Sequence, residues 1–173
     1  YVGGLVGRSQ GASLALQNKI HDSYSTADVS ASGFVGGLLG HSAIATDVAY
    51  SFASGDVSSN ASNGVVGGLV GYMQSNSMIR YSYATGNVTA NVVTTSGVGG
   101  LVGQSAGSTS FDNEIENSYA AGTVTHTGGS AGRTGALVGY NSIGDSLILT
   151  GSIARYYPDL APVPDWGLFG DTG

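Results

Sequence analysis

One glycine-rich hexapeptide recurs six times along this chain, and no other feature restricts the fold as much. "VGGLVG" at residues 2–7 returns as "VGGLLG" at 35–40 and as "VGGLVG" at 66–71 and 98–103. It then decays to "TGALVG" at 134–139 and "DWGLFG" at 165–170. Its leucine falls at Leu5, Leu38, Leu69, Leu101, Leu137 and Leu168, at spacings of 31–36 residues. A second segment lies between the copies, at residues 20–29, 48–57, 79–88 and 115–124, with a degenerate version at 149–158. In it, Ser23, Ser51, Ser82, Ser118 and Ser152 share one register. Tyr24, Phe52, Tyr83, Tyr119 and Ile153 follow them, and Val29, Val57, Val88 and Val124 close the unit. A fixed period of this length marks a repeat architecture.

Helical repeats have similar periods, but these units are rich in Gly, Val, Thr, Ser and Tyr and show no 3.6-residue apolar stripe. They favour short strands joined by Gly/Ser/Asn turns. A propeller blade needs four strands and about 40–45 residues. Two strand segments, with room for a third, are legible in each unit. The pattern therefore predicts an all-β fold, a parallel β-solenoid of about five turns stacked at the roughly 4.8 Å strand spacing. Like residues then sit above like. The repeats are expected to occupy residues 1–154. Residues 155–173, which hold all three prolines and the only Trp, are expected to cap one end.

Within one strand, adjacent residues face opposite ways. The leucines would then form one ladder, and Val6, Leu39, Val70, Val102, Val138 and Phe169 another on the opposite face. The first ladder reads as core. The second is covered by the chain's own loops or serves as an assembly face toward another protomer. The glycines allow a second backbone or sheet to approach closely.

Composition removes several function classes. The net charge of −6 disfavours a nucleic-acid surface. With no Cys there is no disulfide, thiolate metal site or Cys nucleophile. No apolar run is long enough for a membrane-spanning helix. There is no signal peptide and no initiator Met, and the chain starts inside a unit, so it reads as a processed or excised piece of a longer precursor.

The segments Gly4-Leu5-Val6-Gly7, Gly37-Leu38-Leu39-Gly40, Gly68-Leu69-Val70-Gly71, Gly100-Leu101-Val102-Gly103 and Gly167-Leu168-Phe169-Gly170 resemble the GLUG motif. In Ala136-Leu137-Val138-Gly139 an Ala replaces the first Gly. The segment "SYATGNV" at residues 82–88 is also similar to that family. The resemblance implies a repeat of large secreted bacterial surface proteins, including adhesins and some immunoglobulin A-specific metallopeptidases. In those peptidases catalysis lies outside the repeats. This chain has no His-Glu-x-x-His, so that chemistry is absent from it.

No constellation of catalytic residues stands out. Asp112, Glu114 and Glu116 form the densest acidic patch, and alternation puts them on one face opposite Ile115. They read as a solvated strand edge, with a Ca²⁺ site of carboxylate oxygens as the alternative. No other metal or cofactor is expected. His21, His41 and His126 lie in different registers of the repeat, and Asp28, Asp56, Asn87 and Thr123 read as turn residues. The aromatic register of Tyr24, Phe52, Tyr83 and Tyr119 reads as an internal stack. Turned outward, it would make a flat strip suited to glycan rings.

The expected function is a non-catalytic structural or adhesive module of a secreted bacterial surface protein or extracellular fibre. It would associate with its own kind, as a homo-oligomer or filament, or with other parts of a longer surface protein. A glycan-binding adhesin module and a polysaccharide-active β-helix enzyme are the alternatives.

Overall fold

The computed structural model describes residues 1–154 except 12, 14, 92–96, 108–109, 128–132 and 143–146. The cap expected over 155–173, with Leu168 and Phe169, lies outside the described residues. Among those described there is no helix. The first turn consists of β1 (Val2–Gly3), β2 (Val6–Gln10), β3 (Asn18–His21), β4 (Tyr24–Ser25) and β5 (Val29–Ser30). The same five strands recur in the next three turns, and four of them in a fifth. Each strand pairs in parallel with its counterparts in the neighbouring turns, giving five parallel sheets around a β-solenoid. Five strands per turn exceeds the two or three read from the sequence, because several are only two residues long, too short to display alternation.

Register is by identity. Val2, Val35, Val66 and Val98 stack in one row, and Gly3, Gly36, Gly67, Gly99 and Gly135 in the next. Ile20, Val48, Ile79, Ile115 and Leu149 form another row. No single turn can bury these residues, so each depends on its neighbours for both hydrogen bonds and core.

The hexapeptide folds back on itself. Its Gly-Leu pair is a bend between the β1 and β2 strands. From Leu38 to Leu137, each leucine carbonyl accepts two N–H groups from the turn before: Leu69 O takes Leu38 N and Leu39 N, both at 3.0 Å. The two sheets then meet backbone to backbone. A Cβ on Gly36 would lie 2.1 Å from Leu39 O, and one on Gly71 would lie 2.6 Å from Gly40 O and 2.8 Å from Val35 N. No side chain fits either row. The middle glycine is blocked differently: a Cβ on Gly68 would meet Gly100 O of the following turn at 2.1 Å. No described strand follows the fifth turn, which carries Ala136 at this position.

This bend overturns the two-faced reading of the hexapeptide. Val6, Leu39, Val70, Val102 and Val138 do not form an outer assembly face. Leu39, Val70, Val102 and Val138 lie in the same core as Leu38, Leu69, Leu101 and Leu137, with Val6 packed against it. Alternation holds within a strand, but β1 ends at Gly3 and β2 begins at Val6, so the Gly4-Leu5 bend interrupts it. Met73, Ile79, Ile115 and the Ala53 row complete that core. A second, smaller core joins the Val35, Val66 and Val98 row to Val29, Val57 and Val88.

Two polar ladders fix the corners. Ser51 Oγ donates to Ala49 O at 2.8 Å and accepts Ser23 N at 3.1 Å. Ser82 and Ser118 repeat the arrangement. Each serine is preceded by a left-handed residue: Asp22 (φ 49°), Tyr50 (51°), Tyr81 (48°), Asn117 (45°) and Gly151 (59°). At the next corner, Asp28 Oδ1 accepts Asp56 N at 2.8 Å, Asp56 Oδ1 accepts Asn87 N at 2.8 Å, and Asn87 Oδ1 accepts Thr123 N at 3.1 Å. The turn role read for this register is therefore filled by Asx side chains capping the backbone of the following turn.

Candidate functional site

The aromatic register faces outward. The next residue in each turn is Ser25, Ala53, Ala84 or Ala120, buried against the middle-glycine row, where only a small side chain fits. Alternation then sends Tyr24, Phe52, Tyr83 and Tyr119 to the surface. Tyr24 is 61% exposed. The internal stack expected from the sequence is corrected accordingly. The rings are nonetheless stacked, with centroids 5.1, 4.9 and 4.9 Å apart and planes within 7°. They cover one another's faces, so the column presents mainly ring edges and hydroxyls to solvent.

A second outward stack was not legible. Tyr50 and Tyr81, in the left-handed corner row, lie 5.1 Å apart at 5°. Both are exposed, and the Tyr81 hydroxyl donates to Glu116 Oε1 at 3.3 Å. The signal lay in the alignment "VAYSF" over "IRYSY" (residues 48–52 and 79–83), which places one tyrosine above the other.

Beside this stack, on the outer face of the β3 sheet, lies an ionic cluster. Asp47 is 2% exposed yet lies on a strand face that looks outward. Ala49 occupies the row shared by His21 and Arg80, and its small side chain lets both reach over it from the adjoining turns. Arg80 Nε and Nη2 donate to Asp47 Oδ1 and Oδ2 at 3.1 and 2.6 Å, and His21 Nε2 lies 2.9 Å from Oδ2. Burial, the largest influence, opposes the Asp47 charge. The hydrogen bonds from Arg80 and His21 outweigh it and hold the carboxyl below its usual range. The same contacts push the Arg80 guanidinium up.

A third group gathers Tyr1, Phe34, His41 and Tyr72, with ring centroids 4.6–5.4 Å apart, and Arg8 over Tyr1. His41 Nε2 pairs with Gln74 Oε1 at 3.1 Å, and Nδ1 is buried with no hydrogen-bond partner among the described residues. Burial holds the imidazole below its usual range; the Gln74 bond opposes this and Arg8 adds to it. The group is packed by its own rings.

Asp112, Glu114 and Glu116 do not converge on one point, and no group of three His, Asp or Glu among the described residues is arranged to hold a metal ion. Asn113 and Ile115 turn inward, as alternation requires. Glu114 sits between Met78 and Ile148, and Glu116 between Arg80 and Thr150. Glu116 also accepts from Asn117 Nδ2 at 3.1 Å.

The outer side of the first turn is open. Leu5 is 52% and Val2 38% exposed, against 0% for Leu38 and Val35 one turn further in. Among the described residues, β1 to β5 are the last strands of their sheets on that side. At the other end Leu137 and Val138 are fully buried.

The family model of the GLUG motif matches residues 62–89, most of the third turn. The other described copies of the motif stand in the same rows on either side of it. No curated protein and no solved structure matches the chain.

Proposed function

With a chain built of GLUG repeats as the premise, we propose that it is a non-catalytic structural and adhesive module of a secreted bacterial surface protein or extracellular fibre. In this reading it binds further turns of its own kind through the outer side of the first turn. The observation that carries the reading is stacking by identity, in which each inner turn is covered by turns of the same motif in parallel register. Leu5, Val2 and Tyr24 are covered on one side by Leu38, Val35 and Phe52 and are exposed on the other. The groups left there match one partner. The Leu5 carbonyl can accept two N–H groups, Ser23 Oγ can accept one, and Asp28 N can donate to an Asx side chain, as their counterparts do further in. A GLUG turn in parallel register supplies all of these. Sedimentation velocity over a wide concentration range tests the proposal. Concentration-dependent association that Leu5→Arg removes is expected; a monomer throughout overturns it.

The outward aromatic column gives the glycan-binding alternative one supporting observation. Mutual stacking weakens it, because sugar recognition by aromatics uses ring faces and these are occupied. Glycan-array binding lost in Tyr24→Ala would favour this second reading.

A further inference from the structure

Tyr50 and Tyr81 are held as an isolated pair. Their corner row contains Asp22, Tyr50, Tyr81, Asn117 and Gly151, all at positive φ between 45° and 59°, and only two of the five are aromatic. The stack is therefore two rings long, with parallel planes and centroids 5.1 Å apart. It is open to solvent, at 59% and 44% exposure. One phenol already donates its hydrogen to a carboxylate, Tyr81 to Glu116. The chain has no cysteine, so it cannot join its turns by disulfides.

We propose that Tyr50 and Tyr81 are an oxidative cross-linking site, at which a dityrosine bond joins the second and third turns. The co-reactants are a haem peroxidase and hydrogen peroxide. Each phenol gives up one electron and its hydroxyl proton. The Tyr81 proton passes to the Glu116 carboxylate and the Tyr50 proton to water. The two phenoxyl radicals couple through a ring carbon ortho to each oxygen, forming one carbon–carbon bond. The two ortho hydrogens then move as protons to the phenolic oxygens, which restores both aromatic rings. Two electrons and two protons leave in total, and they reduce one peroxide to two waters. The left-handed corner directs both rings from successive turns to one side of the rod. Coupling then requires the side-chain torsions to turn so that the ortho carbons of the two stacked rings, whose centroids lie 5.1 Å apart, meet.

The neighbouring column supplies an internal comparison. Tyr24 faces Phe52, which has no hydroxyl and forms no phenoxyl radical. Tyr83 and Tyr119 are stacked at 4.9 Å, but Tyr83 is half-buried and its other face is covered by Phe52.

The test oxidises the intact chain with a haem peroxidase and hydrogen peroxide at high dilution. Blue dityrosine fluorescence, the intact mass and the tryptic digest are then read. Cleavage after Arg80 separates the two tyrosines, so their bond appears as one joined peptide. The expected product is a monomer lighter by two hydrogens, in which peptides 20–80 and 81–133 are linked through Tyr50 and Tyr81. Tyr50→Phe and Tyr81→Phe each keep the ring in the stack and should each abolish that linked peptide while circular dichroism is unchanged. The proposal is overturned by the absence of the linked peptide, by cross-links found only between separate chains, or by a linkage that survives Tyr81→Phe.

Discussion

Arg80 reaches back one turn to hold the Asp47 carboxylate with two hydrogen bonds, at 3.1 and 2.6 Å, over a side chain that is 2% exposed. The stability this contributes depends on pH. The folded-state value of Asp47 lies below the unfolded one, so the contribution is complete above the unfolded value of about 4 and is lost as pH falls through the folded value. Urea titrations from pH 7 downward should show stability falling below about pH 4. Asp47→Asn should flatten that segment of the profile. Arg80→Ala leaves the buried carboxylate with His21 as its one charged partner among the described residues and should cost about 1–3 kcal/mol at neutral pH. An unchanged acid limb in Asp47→Asn would remove Asp47 as its source.

Gly67→Ala should be far worse than Gly33→Ala. The first puts a methyl group 2.0 Å from Val70 O, where two sheets touch, and should cost more than about 3 kcal/mol or prevent folding. The second meets nothing within 4 Å and incurs only the strain of a positive φ of 90°, roughly 1–2 kcal/mol. Chemical denaturation of the two variants side by side checks the ranking.

Ser82→Ala removes the acceptor of a buried N–H at Ser51 and the donor to Arg80 O. A loss of about 1–3 kcal/mol is expected. Native-state hydrogen exchange should show the Ser51 amide losing protection, while amides of the Asp56 corner keep theirs.

Truncating the leucine row should give unequal losses. Leu69→Ala empties a fully buried site and should cost about 2–5 kcal/mol. Leu5→Ala, at a half-exposed position, should cost less than about 1 kcal/mol in the monomer. Thermal melts at low concentration separate this from any effect on association.

Much of the rod could be read in advance, because stacking by identity writes itself into the sequence. The Leu5-to-Leu137 row, the Ser23-to-Ser152 row and the turn role of Asp28, Asp56 and Asn87 all stand where the period put them. The side assigned to Val6, Leu39, Val70, Val102 and Val138 was wrong because alternation was carried across a bend that two residues, Gly and Leu, are enough to make. The aromatic direction was hidden by the serine corner. It is fixed by the small residue that follows, Ala53 or Ala84, pressed against Gly37 or Gly68. The Asp47 cluster was missed for another reason. Its members come from three turns and two registers, and only the small Ala49 between His21 and Arg80 hints that they can meet.

The corner row of Asp22, Tyr50, Tyr81, Asn117 and Gly151 shares one conformation, while its side chains range from an acid and an amide to a pair of phenols. The serine behind it secures the backbone, so the side chain in front has no structural duty and points away from the rod. Such a position works as a display site. A lineage can decorate it with acid, phenol, amide or nothing, giving each turn its own surface while leaving the scaffold beneath untouched.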